Sequence, residues 1–215
     1  MHIKAPGPVT YIEYKDIRKY KYKSNIHTIV SCTQKQKDNE FVEDINNLKK
    51  KWQVSRNDGI KKIWLYKAGR RLEFLSYCKN QIVADILKKL EHYRTITFCK
   101  TIEQSELLGK WHIHSQNGQA DTVYNLFNQK KVNHITTVNI LNENANLVDC
   151  KYAIFANLSS SEVVQVQRTG RALRHKKPVI IIPYYQGTRE EEIMKSMIEG
   201  YDKRFIKEIH SIQEI

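Results

Sequence analysis

From residue 79 onward, short apolar runs alternate regularly with amphipathic stretches, which is typical of a parallel sheet wrapped in helices. The runs that predict strands are 95–99, 111–114, 134–138, 152–156 and 179–183, and the stretches that predict helices are 81–90, 102–108, 121–129 and about 189–200. Right-handed crossovers would place these strands in one sheet, with the following loops gathered at its carboxyl edge. We therefore expect residues 79–215 to form an α/β domain whose parallel sheet carries helices on both faces.

The pattern before residue 79 is looser. Residues 27–32 predict a strand and residues 55–59 a turn. The helix expected between them would carry four large apolar residues on one face: Phe41, Ile45, Leu48 and Trp52. Interleaved Tyr and Lys residues from 11 to 22 could hold single-stranded nucleic acid, and packing of an edge strand explains them equally well. We interpret residues 1–78 as a smaller N-terminal bridging segment.

Charge narrows the class of partner. The chain has 36 Lys and Arg residues against 23 acidic residues, a formal net charge of +13, which suits a phosphate-rich partner. Charge alone does not separate nucleic acid from anionic lipid. No apolar run approaches the roughly 20 residues that span a bilayer, and the N-terminus lacks the apolar core of a signal peptide. We expect a soluble, cytoplasmic protein that does not bind membranes.

Cysteine and histidine give little sign of a metal. The four cysteines at 32, 78, 99 and 150 are widely spaced, which favours reduced, buried thiols over structural zinc or disulfides. His112 and His114 could chelate a metal from one strand face, but no third ligand follows at a suitable spacing. Surface positions on a strand are the favoured interpretation, and we predict no metal site on this chain.

The segment 167–174, Gln-Arg-Thr-Gly-Arg-Ala-Leu-Arg, carries the strongest chemical signal. Arg171 and Arg174 follow Gln167 by four and seven residues, so all three would project from nearly one side of a helix. An arginine fork suits phosphate oxygens, and Gly170 would let a ligand or another backbone come close. The pattern indicates a phosphate-facing helix, and a solvated basic helix is the alternative.

Both ends of this helix are marked in the sequence. Ser159 and Glu162 have the spacing of a capping box at its start. The basic residues 175–177 would complement the dipole at its end, and Pro178 cannot continue it. Because predicted buried strands lie on either side, the segment predicts one crossover unit of a parallel sheet.

Residues 79–200 resemble the second RecA-like domain of superfamily 2 helicases and translocases, a fold of the P-loop NTPase type. The segment 167–174 matches that family's Q-R-x-G-R-x-x-R signature. Three further stretches resemble family segments in the same order: 95–99 with Thr101 resembles motif IV, 113–115 the strand end that follows it, and 138–147 motif V.

The resemblance implies roles at an ATP site. Arg171 and Arg174 match arginine fingers that reach the γ-phosphate of ATP, and Gln167 matches a residue that senses the same phosphate. ATP and Mg²⁺ would be held mainly by the first RecA-like domain. Such fingers suit phosphoryl transfer, which depends on neutralising charge on the transferring and leaving oxygens. Beside them, Gly170 is a cofactor-binding candidate.

The resemblance also implies a nucleic-acid track. Thr101, Thr137 and Asn139 fall near positions that contact the nucleic-acid backbone, where phosphate contacts position the strand without reading sequence. DNA is expected rather than RNA. In motif V, Asn144 and Asn146 stand at cofactor-binding positions where the family usually has Gly and Asp. Asn tolerates left-handed backbone, whereas the second replacement removes a charge.

A phosphate-cradling loop is missing from the sequence. Gly109-Lys110 is followed by Trp111, so no G-x-x-x-x-G-K-[ST] motif occurs, and no acidic Mg²⁺-binding motif follows an apolar strand. We therefore expect the C-terminal half of an ATP-dependent helicase that hydrolyses ATP negligibly without its first RecA-like domain. A non-catalytic basic nucleic-acid-binding module is the alternative. A nucleotide-sugar or other Rossmann-like enzyme is weaker, because the Gln-Arg-Thr-Gly-Arg order has no evident purpose there.

Overall fold

The structure, a computed structural model, describes residues 9–12, 19–23, 29–138, 147–158, 173–199 and 201–215. The chain forms two compact units. One, the hairpin unit, comprises residues 15–78, and the other, the sheet unit, comprises residues 1–14 and 79–215. Among the described residues, no helix combines the length and apolarity needed to cross a membrane.

The elements follow in chain order. The strands are β1 (Val9–Ile12), β2 (Lys19–Lys23), β3 (Ile29–Thr33), β4 (Thr95–Phe98), β5 (His112–Ile113), β6 (His134–Thr137), β7 (Leu147–Val148), β8 (Tyr152–Phe155), β9 (Leu173–Arg174), β10 (Val179–Ile181) and β11 (Ile206–Ile209). The helices are α1 (Gln34–Ser55), α2 (Asp58–Cys78), α3 (Asn80–Lys89), α4 (Ile102–Leu108), α5 (Ala120–Asn128) and α6 (Arg189–Ile198). Short 3-10 turns lie at Lys203–Phe205 and Ile212–Glu214.

One large sheet organises the sheet unit. Its strand order is β11-β1-β10-β8-β4-β6-β5, and every neighbouring pair is parallel. The prediction of a parallel α/β fold is therefore confirmed. The sheet includes β1, although the sequence grouped residues 9–12 with the N-terminal segment. It also includes β11, which was not predicted because its four residues alternate in burial and lack a continuous apolar run.

Burial explains the apolar runs of the central strands. Ile96, Ile154 and Ile180 have no exposed surface, as expected of parallel strands covered on both faces. Phe98 and Phe155 are register partners on β4 and β8, and their rings stack with centroids 4.6 Å apart. These contacts fix the centre of the sheet, from which the loops at its carboxyl edge project.

The hairpin unit consists of the antiparallel pair β2 and β3 followed by two long helices. The Thr33 hydroxyl accepts a hydrogen bond from the Gln36 N–H at 3.1 Å, and the Gln36 side chain accepts one from Thr33, which starts α1 with a capping box. Arg56 ends α1 with φ of 52°. The predicted turn therefore joins two helices. Helix α2 was not predicted because its apolar residues do not keep to one face: Ile63, Leu65 and Tyr66 are exposed.

Candidate functional site

The carboxyl ends of β4, β5 and β6 lie side by side, because these neighbouring strands are parallel. Thr137 ends β6 as the register partner of Phe98, and its carbonyl accepts a hydrogen bond from the Cys99 N–H at 2.8 Å. The Val138 N–H donates to the Ile113 carbonyl at 3.1 Å. Two predicted nucleic-acid contacts, Thr101 and Thr137, thus follow or end neighbouring strands at the same edge.

A hydrogen-bond network holds Thr101 in place. Its hydroxyl caps α4 by accepting from the Gln104 N–H at 3.1 Å. The buried Gln104 side chain accepts from the Lys100 N–H at 2.8 Å and donates to the Asn80 carboxamide oxygen at 2.7 Å. The loop after β4 is therefore fixed between two helices. Sequence reasoning missed Gln104, although its position three residues after a capping Thr was a usable signal.

Thr101 and Thr137 differ in exposure. Thr101 is half-buried, whereas Thr137 has no exposed surface. Its neighbour Thr136 is also fully buried, and its hydroxyl lies 2.8 Å from that of Ser105. Of the two threonines predicted to contact nucleic acid, only Thr101 presents surface at this edge.

Arg174 occupies a different local structure from the predicted one. Leu173 and Arg174 form strand β9, which pairs in parallel with β7 in the register Leu147 to Leu173 and Val148 to Arg174. The prediction that one helix continues through Arg174 is wrong, because backbone pairing with β7 overrides the helical periodicity of the sequence. The spacing argument therefore does not place Arg174 on the same helix face as Gln167.

A buried arginine that the sequence did not single out holds β7. The Arg94 guanidinium donates to the Val148 carbonyl from Nε at 3.1 Å and from a terminal nitrogen at 2.8 Å. It also donates to the carbonyls of Phe127 and Val132, and it lies 4.0 Å from the Phe127 ring centroid. Because β7 is the partner of β9, Arg94 indirectly positions the backbone of Arg174. No sequence pattern marked it, since its acceptors are backbone carbonyls.

Charge follows β7 closely. Asp149, in the left-handed region with φ of 54°, receives a hydrogen bond from the Lys130 ammonium at 2.7 Å. That hydrogen bond, with smaller contributions from the charges of Lys130, His175 and Arg94, lowers the pKa of the Asp149 carboxyl. The His175 ring nitrogen lies 4.0 Å from the same carboxylate. An ionised carboxylate therefore lies directly beside the β7 and β9 pair.

Residues 78–176 match the family model described as the helicase conserved C-terminal domain. The chain contains a helicase C-terminal domain. The matched range takes in the β4 loop and the β7 and β9 pair. No curated protein sequence matches the chain.

Solved helicase structures share the fold of this helicase C-terminal domain. S. cerevisiae Dbp5 L327V bound to RNA and ADP BeF3 aligns with a TM-score of 0.50 and 13% identity over 63% of this chain and 39% of that one. A DEAD box protein from the hyperthermophile Methanococcus jannaschii gives 0.48 and 21% over 61% and 39%, and the Pyrococcus furiosus Hef helicase domain gives 0.44 and 16% over 71% and 36%. The alignments thus span less than two fifths of each helicase.

Most of the predicted phosphate-facing residues of the helicase C-terminal domain lie outside the described residues. These are Asn139, Asn144, Asn146, Gln167, Gly170 and Arg171. Arg174 is described only in its backbone. Their assigned roles stay predictions, and the structure brings together the elements on either side of them: β6 and β7 flank the first group, and β8 and β9 flank the second.

Proposed function

We propose that this chain is the second RecA-like half of an ATP-dependent nucleic-acid helicase or translocase of the cytoplasm. The observation that carries the proposal is the helicase C-terminal match over residues 78–176, on a sheet whose parallel strands direct their loops to one edge. Open parallel sheets bind ligands at that edge.

In this proposal Arg171 and Arg174 neutralise charge on the γ-phosphate of ATP, and Gln167 contacts the same phosphate. Gly170 leaves room for the nucleotide, and Asn144 and Asn146 line the junction between the nucleotide and the track. ATP and Mg²⁺ are held mainly by a first RecA-like domain, located elsewhere in the protein or on another chain. The anchoring of β7 by Arg94 supports this arrangement, because it fixes the backbone of one finger.

The nucleic-acid backbone would run along the carboxyl edge beside Thr101 and Asn139. The capped, hydrogen-bonded loop after β4 supports this, since a fixed loop holds a hydroxyl in position for a phosphate. The buried Thr137 would act through its neighbours. The expected preference for DNA gains no support from the solved structures, one of which is a complex with RNA. We therefore propose nucleic acid as the partner and test both kinds.

The test uses the protein with both RecA-like domains present. Arg171→Ala and Arg174→Ala should each lower nucleic-acid-stimulated ATP hydrolysis by about 10³-fold, the usual minimum effect of an arginine finger. Arg189→Ala is the matched control, because Arg189 is exposed on α6 and paired with Glu192. Oligonucleotides of one sequence as DNA and as RNA identify the stimulating partner. Unchanged hydrolysis in both finger variants would show the assignment to be wrong.

A second candidate function, non-catalytic binding of nucleic acid, is favoured by the hairpin unit. Residues 15–78 carry 16 of the 36 basic residues and only 7 of the 23 acidic ones. Near the α1–α2 turn, Trp52 and Trp64 stack with ring centroids 5.5 Å apart. The Arg56 guanidinium lies 5.1 Å and the Lys61 ammonium 5.6 Å from the Trp52 ring. Half-exposed aromatic rings beside cations are the features that single-stranded nucleic acids engage.

This second function predicts strongly salt-dependent binding by the isolated chain. Replacing both Arg56 and Lys61 with Gln should lower the slope of log K against log salt by about 0.7 per lost phosphate contact on a single strand. A double control, Lys67→Gln with Lys195→Gln, removes two cations already paired with Asp44 and Glu191. An equal change of slope in the two double variants would argue against this surface.

A further inference from the structure

Three metal-ligating side chains converge where α4 approaches β5. Glu106 lies on α4, His112 begins β5, and His114 follows it directly. Each offers one ligand atom, and these atoms all lie within 4.8 Å of one another. The His114 Nε2 and the Glu106 Oε1 are 3.8 Å apart. The sequence did not predict this group, because the third ligand precedes the histidines and lies on a helix.

The two histidines also lack the hydrogen bonds that buried imidazoles normally make. Nδ1 of His112 and both ring nitrogens of His114 are buried without a hydrogen-bond partner. His114 is only 5% exposed. Buried polar atoms are usually paired, and an imidazole nitrogen that does not bond to protein is available to bind a metal. This observation is independent of the distances and points to the same place.

The geometry suits a small divalent ion. His112 and His114 are two residues apart, so they leave the strand on the same side, and their rings stack with centroids 5.0 Å apart. Zinc bonds of about 2.0–2.2 Å in a tetrahedron place ligand atoms roughly 3.4 Å apart. Small side-chain rotations reach that spacing, and the Glu106 side chain, 52% exposed, has room to make them.

The backbone that carries these ligands is firmly packed. A Cβ at Gly109, in the loop between α4 and β5, would lie 2.7 Å from the Thr136 methyl carbon. The loop thus rests directly on β6. Ser105, next to Glu106 on α4, is joined to Thr136 by hydrogen bonds of 2.8 and 3.0 Å. The donors of the group are therefore held on a rigid scaffold, as a preorganised metal site requires.

We propose that Glu106, His112 and His114 form a binding site for a divalent transition metal, with Zn²⁺ as the favoured ion. Two imidazoles and one carboxylate are ligands that zinc accepts, and three protein ligands leave a fourth position for water or another oxygen donor. A bound ion would tie the end of α4 to β5 and satisfy buried nitrogens of both histidines. The site is independent of the ATP site and does not rest on the helicase proposal.

The experiment measures Zn²⁺ affinity of the chain after chelator treatment, by competition with a chromophoric chelator, and Co²⁺ binding by visible absorption. The unmodified chain should bind one ion. Glu106→Gln and His112→Gln should each weaken binding by more than the roughly 10- to 100-fold that loss of an outer-shell partner costs. His92→Gln is the matched control, because His92 forms an exposed pair with Glu91 at 3.3 Å and should leave affinity unchanged.

Both test positions reach the surface, so these variants should fold, and circular dichroism of the metal-free proteins verifies that. A Zn²⁺-dependent rise in melting temperature should occur in the unmodified chain and the His92→Gln protein and be absent from the two ligand variants. Unchanged affinity after Glu106→Gln and His112→Gln, or no binding by the unmodified chain, would overturn the proposal. A Co²⁺ spectrum dominated by thiolate bands would overturn it as well, because it would place the ion on cysteine.

Discussion

The two units hold their charged groups in opposite ways. In the sheet unit, the Lys79 ammonium lies 2.6 Å from the Glu190 carboxylate, and the two side chains are 1% and 0% exposed. In the hairpin unit, Lys67 and Asp44 form a pair at 2.8 Å with 40% and 55% of their side chains exposed. A buried ion pair depends on its partner far more than an exposed one does. The difference indicates that the sheet unit uses charge for structure, whereas the hairpin unit leaves charge available to a partner.

The buried pair has further hydrogen bonds that make it a structural junction. The Lys79 ammonium also donates to the Pro183 carbonyl at 3.1 Å, and the Glu190 carboxylate accepts from the Tyr185 N–H at 3.2 Å. The pair therefore connects the start of α3, the loop after β10 and the first turn of α6. These are contacts within the helicase C-terminal fold.

The largest expected effect comes from breaking this junction. Glu190→Gln leaves the Lys79 charge buried without a counter-charge and should lower the free energy of unfolding of the sheet unit by about 3–5 kcal/mol. Urea denaturation followed by amide exchange in β8 and β10 would measure it. Glu191→Gln, one residue along α6, breaks the exposed pair with Lys195 and should cost less than about 1 kcal/mol. Similar losses in the two variants would contradict the contrast between buried and exposed charge.

The sheet was more predictable than the site. Helix α4 was predicted with its observed bounds, and the central strands within two residues, because long apolar runs specify buried parallel strands locally. Strand β9 was not predictable, since the extended backbone at Arg174 depends on pairing with remote β7. The same holds for Arg94 and Glu106, whose partners come together only through the tertiary fold. Sequence patterns specify elements, whereas polar networks depend on which elements meet.

A second prediction concerns pH and also separates the units. Burial lowers the pKa of His134 to about 4, and its Nε2 lies 3.1 Å from the Thr97 hydroxyl. The unfolded chain protonates His134 near pH 6.5 while the folded chain keeps it neutral, so stability is complete above that pH and falls as pH approaches 4. By pH 5 the sheet unit should lose about 2 kcal/mol of unfolding free energy from this residue.

Amide exchange at pH 7 and pH 5 would measure this loss in β4 and β6. His134→Gln should flatten the pH dependence of these strands, and the exposed His92→Gln should leave it unchanged. The described residues of the hairpin unit include no histidine, so α1 and α2 should respond little over the same interval. A pH dependence that persists in His134→Gln would assign the effect to another group.

The smallest expected effect tests the hairpin unit at its best-buried ion pair. The Arg71 guanidinium binds the Asp38 carboxylate through two hydrogen bonds of 2.6 and 2.9 Å, joining α1 to α2 with side chains 14% and 11% exposed. Asp38→Asn should lower the stability of the two helices by about 1 kcal/mol, because partial exposure lets water replace part of the lost interaction. Asp44→Asn breaks the more exposed pair between the same helices and serves as the control. Amide exchange in α1 and α2 gives the measurement. A loss as large as that of Glu190→Gln would mean that the hairpin unit also relies on charge for its structure, which would remove the contrast between the units.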